Sequence, residues 1–164
     1  MLHSTRTDVP ILSQRADNPQ VGMLLNAFDS NLAGLYPPEA NHAVSVQELL
    51  APEEAFFAAW QGDRIVGTGA VRRMSGSNAT ASQPYGEVKR MFVKIAQRGE
   101  GVGQRLLQAL ERELRGYLTG CALLETRRDR HEALHPYQRC AHVSRSHFGG
   151  YPDNGLSRFF EKRV

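Results

Sequence analysis

The residues with the clearest chemical potential lie in KIAQRGEGVGQRLL (94–107), where Gly99, Gly101 and Gly103 stand at alternate positions between an apolar run and leucines at helical spacing. Glycines there remove Cβ atoms from one side of a turn, so backbone N–H groups at a helix N-terminus can approach a ligand closely. Those unpaired donors and the helix dipole favour an anion, typically a phosphate. A turn that merely closes a strand-helix connection is the alternative reading of the same glycines. A P-loop is excluded, because neither GxxxxGK nor a following Ser or Thr is present. A dinucleotide fingerprint fits poorly: its third glycine would fall at Gln104, and several elements precede the turn although that motif opens its domain. Glu125, closing the next strand, could stand in for the ribose-binding acid of that motif. His131 and His135 at i, i+4, with Cys140 and His142 nearby, have the residue types of a zinc site but lack a third ligand at defined spacing, so a solvated helix face and no metal are expected.

Elements must hold the glycine turn in place, and the periodicities supply them. PQVGMLLNAFDSNLAGLY has apolar residues at Val21, Leu24, Leu25, Phe28, Leu32 and Leu35, the spacing of an amphipathic helix, and VSVQELL reads as a short second one. AFFAAW and RIVGTGAV, separated by Gln61, Gly62 and Asp63, read as a hairpin. MSGSNATASQPYG (74–86) and YPPEANH (36–42) read as loops. GEVKRMFVK alternates Val88, Arg90 and Phe92 against Lys89, Met91 and Val93, which predicts a strand ending at the glycines. Val102, Leu106, Leu110 and Leu114 predict a helix ending near Gly116, and CALLET a buried strand. HEALHPYQRC predicts a weaker helix broken at Pro136, and strands are expected around 142–148 and 156–162. The order is that of a mixed α/β sheet with helices on both faces.

With 164 residues, 41% hydrophobic and 23% charged, residues 1–164 are expected to form a single domain with its own core. Twenty Lys and Arg against seventeen Asp and Glu give a net charge of +3, which favours an anionic ligand. The basic residues are scattered, with neither a basic tail nor an aromatic-basic ladder, so nucleic acid is not expected as a partner. No segment approaches the roughly 18 apolar residues of a membrane span, and the N-terminus has no signal-like run. A cytoplasmic protein with no membrane partner is the expectation, with Cys121 and Cys140 as free thiols.

From Gly86 to the FFEK ending the chain resembles the acetyl-CoA-binding core of the GNAT superfamily of N-acetyltransferases; before Gly86 only the element order agrees. The family signature is Gln or Arg, two residues, Gly, one residue, then Gly or Ala, and here it reads Arg98-Gly99-Glu100-Gly101-Val102-Gly103. ALHPYQRCAH is similar to the family's A-x-x-L-Y-E-x-x-G-F segment. Ala141-His142 stands for the usual Gly-Phe, Pro136 precedes Tyr137, and Ile95-Ala96 occupies a place where proline is common.

The resemblance implies a mixed, mostly antiparallel sheet and acetyl transfer from acetyl-CoA to an amine without a metal. It implies that Met91, Phe92 and Val93 splay from their neighbour to offer backbone groups to the pantetheine arm. The amides of Arg98, Gly99, Glu100, Gly101, Val102 and Gly103, flanked by Gln97 and Gln104, would hold the pyrophosphate. Tyr137 would lie beside the coenzyme sulfur; a tyrosine of ordinary pKa, about 10, gives its proton to a thiolate near 8.5 at a cost of only about 2 kcal/mol. Glu87 would take the amine proton through water. Tyr36, Glu39 and His42 would lie on the acceptor side, and Lys89, Arg90 and Arg127 offer charge for an acceptor carboxylate. A small-molecule amine, more than a protein, is the implied acceptor, in an enzyme compatible with a homodimer. A non-catalytic module that keeps the acyl-CoA site is the competing class.

Overall fold

The computed structural model describes residues 8–33, 44–117, 119–129 and 136–164. Along the chain its elements are β1 (Ile11–Ser13), α1 (Pro19–Ala33), β2 (Glu54–Gln61), β3 (Arg64–Met74), β4 (Tyr85–Val93), α2 (Val102–Gly116), β5 (Cys121–Arg127), β6 (Val143–Arg145) and β7 (Ser157–Arg163), with residues 136–139 also helical. The seven strands join one sheet in the order β1-β2-β3-β4-β5-β7-β6. Among the described residues only β4 and β5 run parallel, joined by α2 as their crossover. The mixed, mostly antiparallel sheet expected from the sequence is therefore present.

The leucine spacing does its work on α2. Leu106, Leu107, Leu110 and Leu114 are fully buried, and the stripe covers Val71, Val88, Ala122, Leu124 and Phe160 of the sheet. Each buried leucine contributes about 1.5–3 kcal/mol, far more than a glycine in the first turn costs. Glu111, buried on the same helix, is tied to Lys162 of β7 at 2.7 Å. On the opposite face α1 lays Val21, Leu24 and Leu25 over Phe56, Ala58 and Ala70. One helix on each face fixes which side of every strand is which.

The structure departs from the sequence reading at several places, each with a local cause. VSVQELL forms only a three-residue 3-10 turn, Glu48–Leu50, with the Ser45 hydroxyl and the Glu48 carboxylate capping each other's backbone amides. The short edge strand β1 was not expected, and the strand expected at 142–148 covers only Val143–Arg145. Pro136 opens the helical turn at 136–139 instead of breaking it, since a first-turn residue needs no N–H donor. Residues 34–43, which include Tyr36, Glu39 and His42, and residues 130–135, which include His131 and His135, lie outside the described residues.

The most consequential departure is in β4. Thr68 of β3 pairs with Phe92 and Ala70 pairs with Lys89, so Arg90 and Met91 together oppose the single residue Gly69. This β-bulge puts Arg90 at φ 51 and shifts the alternation by one residue. Val88 and Met91 consequently share the α2 face, whereas Phe92 turns to α1, its ring 5.2 Å from Phe28. The simple alternation expected for GEVKRMFVK thus holds only up to the bulge.

Candidate active site

A cleft opens where β4 and β5 part. The two strands pair only from Gly86 to Val88 and from Ala122 to Leu124. Beyond that point β4 continues to Val93 beside β3, while β5 continues to Arg127 beside β7. The bulge sharpens the divergence by adding local twist. The β4 edge that faced β5 loses its ladder, leaving backbone polar groups available to a bound chain. A cavity of about 420 Å³ lies along this free end of β4, bounded by Met91–Val93, by residues of the turn from Gln97 to Gln104, and by Pro136, Tyr137 and Arg139.

The glycine turn is built for backbone conformation as well as for close approach. Gly99 and Gly101 adopt φ +83 and +76, in the left-handed region that costs an L-residue about 1–2 kcal/mol. Gly101 is the N-cap of α2, and the first helical hydrogen bond runs from the Arg105 amide to the Gly101 carbonyl at 3.1 Å. The amides of Val102, Gly103 and Gln104 precede that bond and have no helical carbonyl to reach. They point a row of donors and the positive end of a 15-residue helix at the cavity. Among the residues assigned to the coenzyme, Met91, Phe92, Val93, Gln97, Arg98, Gly99, Gly101, Val102, Gly103, Gln104 and Tyr137 all line the cavity, whereas Glu100 is exposed outside it. Arg98 folds back, its Nε donating to the Val93 carbonyl at 3.0 Å, and so pins the turn to the end of β4. Pro136 and Arg139 complete the lining and were not singled out from the sequence.

Tyr137 sits at the floor between α2 and β7, 7% exposed, its ring 6.3 Å from Phe160 and 6.1 Å from His142. The turn carrying it keeps its backbone bonds despite Pro136: the Cys140 amide donates to the Pro136 carbonyl and the His142 amide to the Tyr137 carbonyl, both at 3.0 Å. Ala141 takes φ 62, the left-handed conformation for which the family pattern has glycine. His142 is buried where the pattern has phenylalanine, and desolvation pushes its imidazole below the usual range. Neither ring nitrogen has a hydrogen-bond partner among the described residues, so His142 serves as a neutral ring packed on Tyr137. Among the described residues no group of three or more His, Cys, Asp and Glu could hold a metal ion.

Charged residues occupy the other face of the sheet at the same point. Glu87 is 4% exposed, accepts the hydroxyl of Tyr151, and stands 3.6 Å from the Lys89 ammonium. Burial and the Glu87 carboxylate push the Tyr151 phenol well above its usual range, so it remains a donor. Arg90, expected to meet an acceptor carboxylate, is committed elsewhere: its Nη1 donates to Asp29 of α1 at 2.6 Å, and its Nε and Nη2 donate to the Val44 carbonyl. Its positive φ at the bulge turns the side chain toward α1, where it fastens the helix to the sheet. Arg127 stands 3.4 Å from Asp129.

Matches with known proteins agree with this geometry. The model of the acetyltransferase (GNAT) family matches residues 22–142, from α1 through the Tyr137 turn. The chain belongs to the GNAT acetyltransferase family. It is 36% identical over 142 residues to the IAA acetyltransferase of Azospirillum brasilense, covering 87% of this chain and 89% of the relative. A crystal structure from Klebsiella pneumoniae, described as an acyl-CoA N-acyltransferase, superposes with a TM-score of 0.74 at 25% identity, covering 96% of this chain and 98% of that one. An aminoglycoside 6'-N-acetyltransferase crystallised with coenzyme A shares the fold, with a TM-score of 0.68 at 17% identity and coverage of 94% and 96%. As a GNAT acetyltransferase the chain is an enzyme, and its family's use of acyl-CoA fits the orphan amides of α2 and the unladdered edge of β4. Among the described residues no helix is long and apolar enough to cross a membrane.

Proposed function

We propose that this acetyltransferase moves the acetyl group of acetyl-CoA directly to the primary amine of a small, amino-acid-like molecule within a ternary complex. The observation that carries the reading is the cleft between β4 and β5, with free amides at one end and Tyr137 at its floor. The amides from Gly99 to Gly103 hold the pyrophosphate, the Arg98 amide being taken by the Ile95 carbonyl at 3.2 Å, and Met91 to Val93 pair with the pantetheine arm as a missing strand would. The acceptor nitrogen attacks the thioester carbonyl, the C–S bond breaks, and Tyr137 protonates the departing thiolate. Glu87, at the end of the β4/β5 pairing, receives the ammonium proton through water. Tyr36, Glu39 and His42 belong to the acceptor side in this reading. The names of two relatives, an IAA acetyltransferase and an aminoglycoside acetyltransferase, favour a small acceptor. The two cysteines, both free thiols, suit a reducing compartment such as the cytoplasm.

An amino-acid-like acceptor follows from the alternation of charge beside the cleft. Lys89 and Glu87 present a cation and an anion 3.6 Å apart on one face, a pair suited to a zwitterion. A carboxylate held by a cationic side chain contributes roughly 1.5–3 kcal/mol, or about tenfold to hundredfold in preference. In a screen of CoA release, free amino acids should therefore outcompete polyamines and lysine-rich peptides. Spermidine or a basic peptide as the best acceptor would refute the amino-acid reading.

A further inference from the structure

On the face of the sheet opposite α2, the connection from β6 to β7 is anchored by aromatic rings. Phe148 is fully buried, its ring 5.7 Å from Tyr85 of β4, 5.7 Å from Phe159 of β7 and 5.4 Å from Tyr151. Tyr151 in turn lies 5.9 Å from Phe159. The register puts β5 between β4 and β7, since Leu123 pairs with Glu87 on one side and with Glu161 on the other. Tyr151 therefore rests on β7 and reaches past β5 to donate its hydroxyl proton to Glu87 Oε1 on β4. The two oxygens of that carboxylate are not equivalent. Oε1 accepts the Tyr151 bond and is also the oxygen 3.6 Å from the Lys89 ammonium. Oε2 accepts nothing among the described residues, yet it is not sealed from solvent, so a side chain only 5% exposed keeps one open oxygen. Glu87 stands one residue before Val88, the last β4 residue that pairs with β5, which puts the open oxygen where the two strands part.

We propose that Tyr151 is a positioning residue of acetyl transfer, whose hydroxyl locks the Glu87 carboxylate with Oε1 occupied and Oε2 turned to the water that carries the acceptor proton. This rests on the role given to Glu87 above, and it goes beyond that role by naming what aims the carboxylate. A glutamate side chain is long and can present either oxygen, so an unheld one would share its time between useful and useless orientations. Lys89 attracts Oε1 as well, but an ammonium acts as a point charge and does not fix the carboxylate plane. A phenol donor does, because its hydrogen bond is directional and the ring behind it is packed. Burial, the Glu87 carboxylate and, more weakly, Glu125 and Tyr85 hold the Tyr151 phenol above its usual range, so the donor persists at neutral and mildly alkaline pH. Tyr151 keeps its own proton throughout turnover, and only Glu87 gains one and gives it up.

A double-mutant cycle tests this, using the amine that releases CoA fastest in the screen. Tyr151→Phe keeps the ring contacts and removes the donor, so kcat should fall about tenfold, as expected when a reacting group is misaimed, with acetyl-CoA affinity unchanged. Glu87→Gln should lose about 10²-fold. The double variant should be no slower than Glu87→Gln alone, because a residue that acts through Glu87 then has nothing left to aim. Calorimetry with acetyl-CoA on each variant shows whether the fold is kept. Wild-type kcat in Tyr151→Phe, losses that multiply in the double variant, or a fall in acetyl-CoA affinity that matches the fall in turnover would overturn the proposal and leave Tyr151 a packing residue. Wild-type turnover in Glu87→Gln would instead overturn the role of Glu87 itself, and this proposal with it.

Discussion

Tyr137→Phe should lower turnover by about 10²-fold while leaving acetyl-CoA affinity nearly unchanged. The ring is what packs: it lies against Phe160 and His142 and is 7% exposed, and phenylalanine keeps all of that surface. What is lost is the hydroxyl proton, which the proposed chemistry delivers to the thiolate as the C–S bond breaks. An interaction made only in the transition state lowers kcat and kcat/KM together, and a single proton-transfer group contributes on the order of 10² to 10⁴. Steady-state kinetics alongside calorimetry of the binary complex separates the two quantities. Wild-type turnover in the variant would mean that this tyrosine only fills the core beneath the cleft.

Gly101→Val should reduce acetyl-CoA affinity by about tenfold to hundredfold and stability by more than 1 kcal/mol. A Cβ at Gly101 would meet no heavy atom within 4 Å, so the protein itself does not exclude a side chain. Two other forces do. At φ +76 a β-branched residue is strained by about 1–2 kcal/mol. The turn would relieve that strain by rotating the Val102 and Gly103 amides out of line, and each amide-to-phosphate bond lost removes roughly 1.5–3 kcal/mol of binding. Paired measurement of the Tm and of the acetyl-CoA dissociation constant checks both effects. Unchanged affinity in the folded variant would make the glycines a device for chain reversal alone.

The elements that carry the site were readable because their signals are local. The leucine repeat of α2, the alternate glycines before it and the apolar run of CALLET each state a period over a few residues, and each appears at its expected place. The hairpin of β2 and β3 was readable for the same reason, with Gly62 and Asp63 between Gln61 and Arg64. What was not readable depends on contacts distant in sequence. Nothing in GEVKRMFVK announces a bulge, because the bulge is defined by the register against Thr68 and Ala70. Arg90 was therefore expected at the acceptor, whereas its partners are Asp29 and the Val44 carbonyl. Arg139 enters the cleft only because the turn at Pro136 folds across the α2 N-terminus. Ala141 and His142 show the converse: the substitutions look disruptive in sequence, yet alanine adopts the glycine conformation and a neutral histidine fills the phenylalanine space.

Titration calorimetry with acetyl-CoA tests most directly whether the cleft between β4 and β5 is a coenzyme site. One saturable site is expected, and at 100 times the dissociation constant the ligand should stabilise the fold by about 2.7 kcal/mol, with ATP and NAD doing far less. No acetyl-CoA binding at millimolar concentration, or equal stabilisation by all three ligands, would contradict the account.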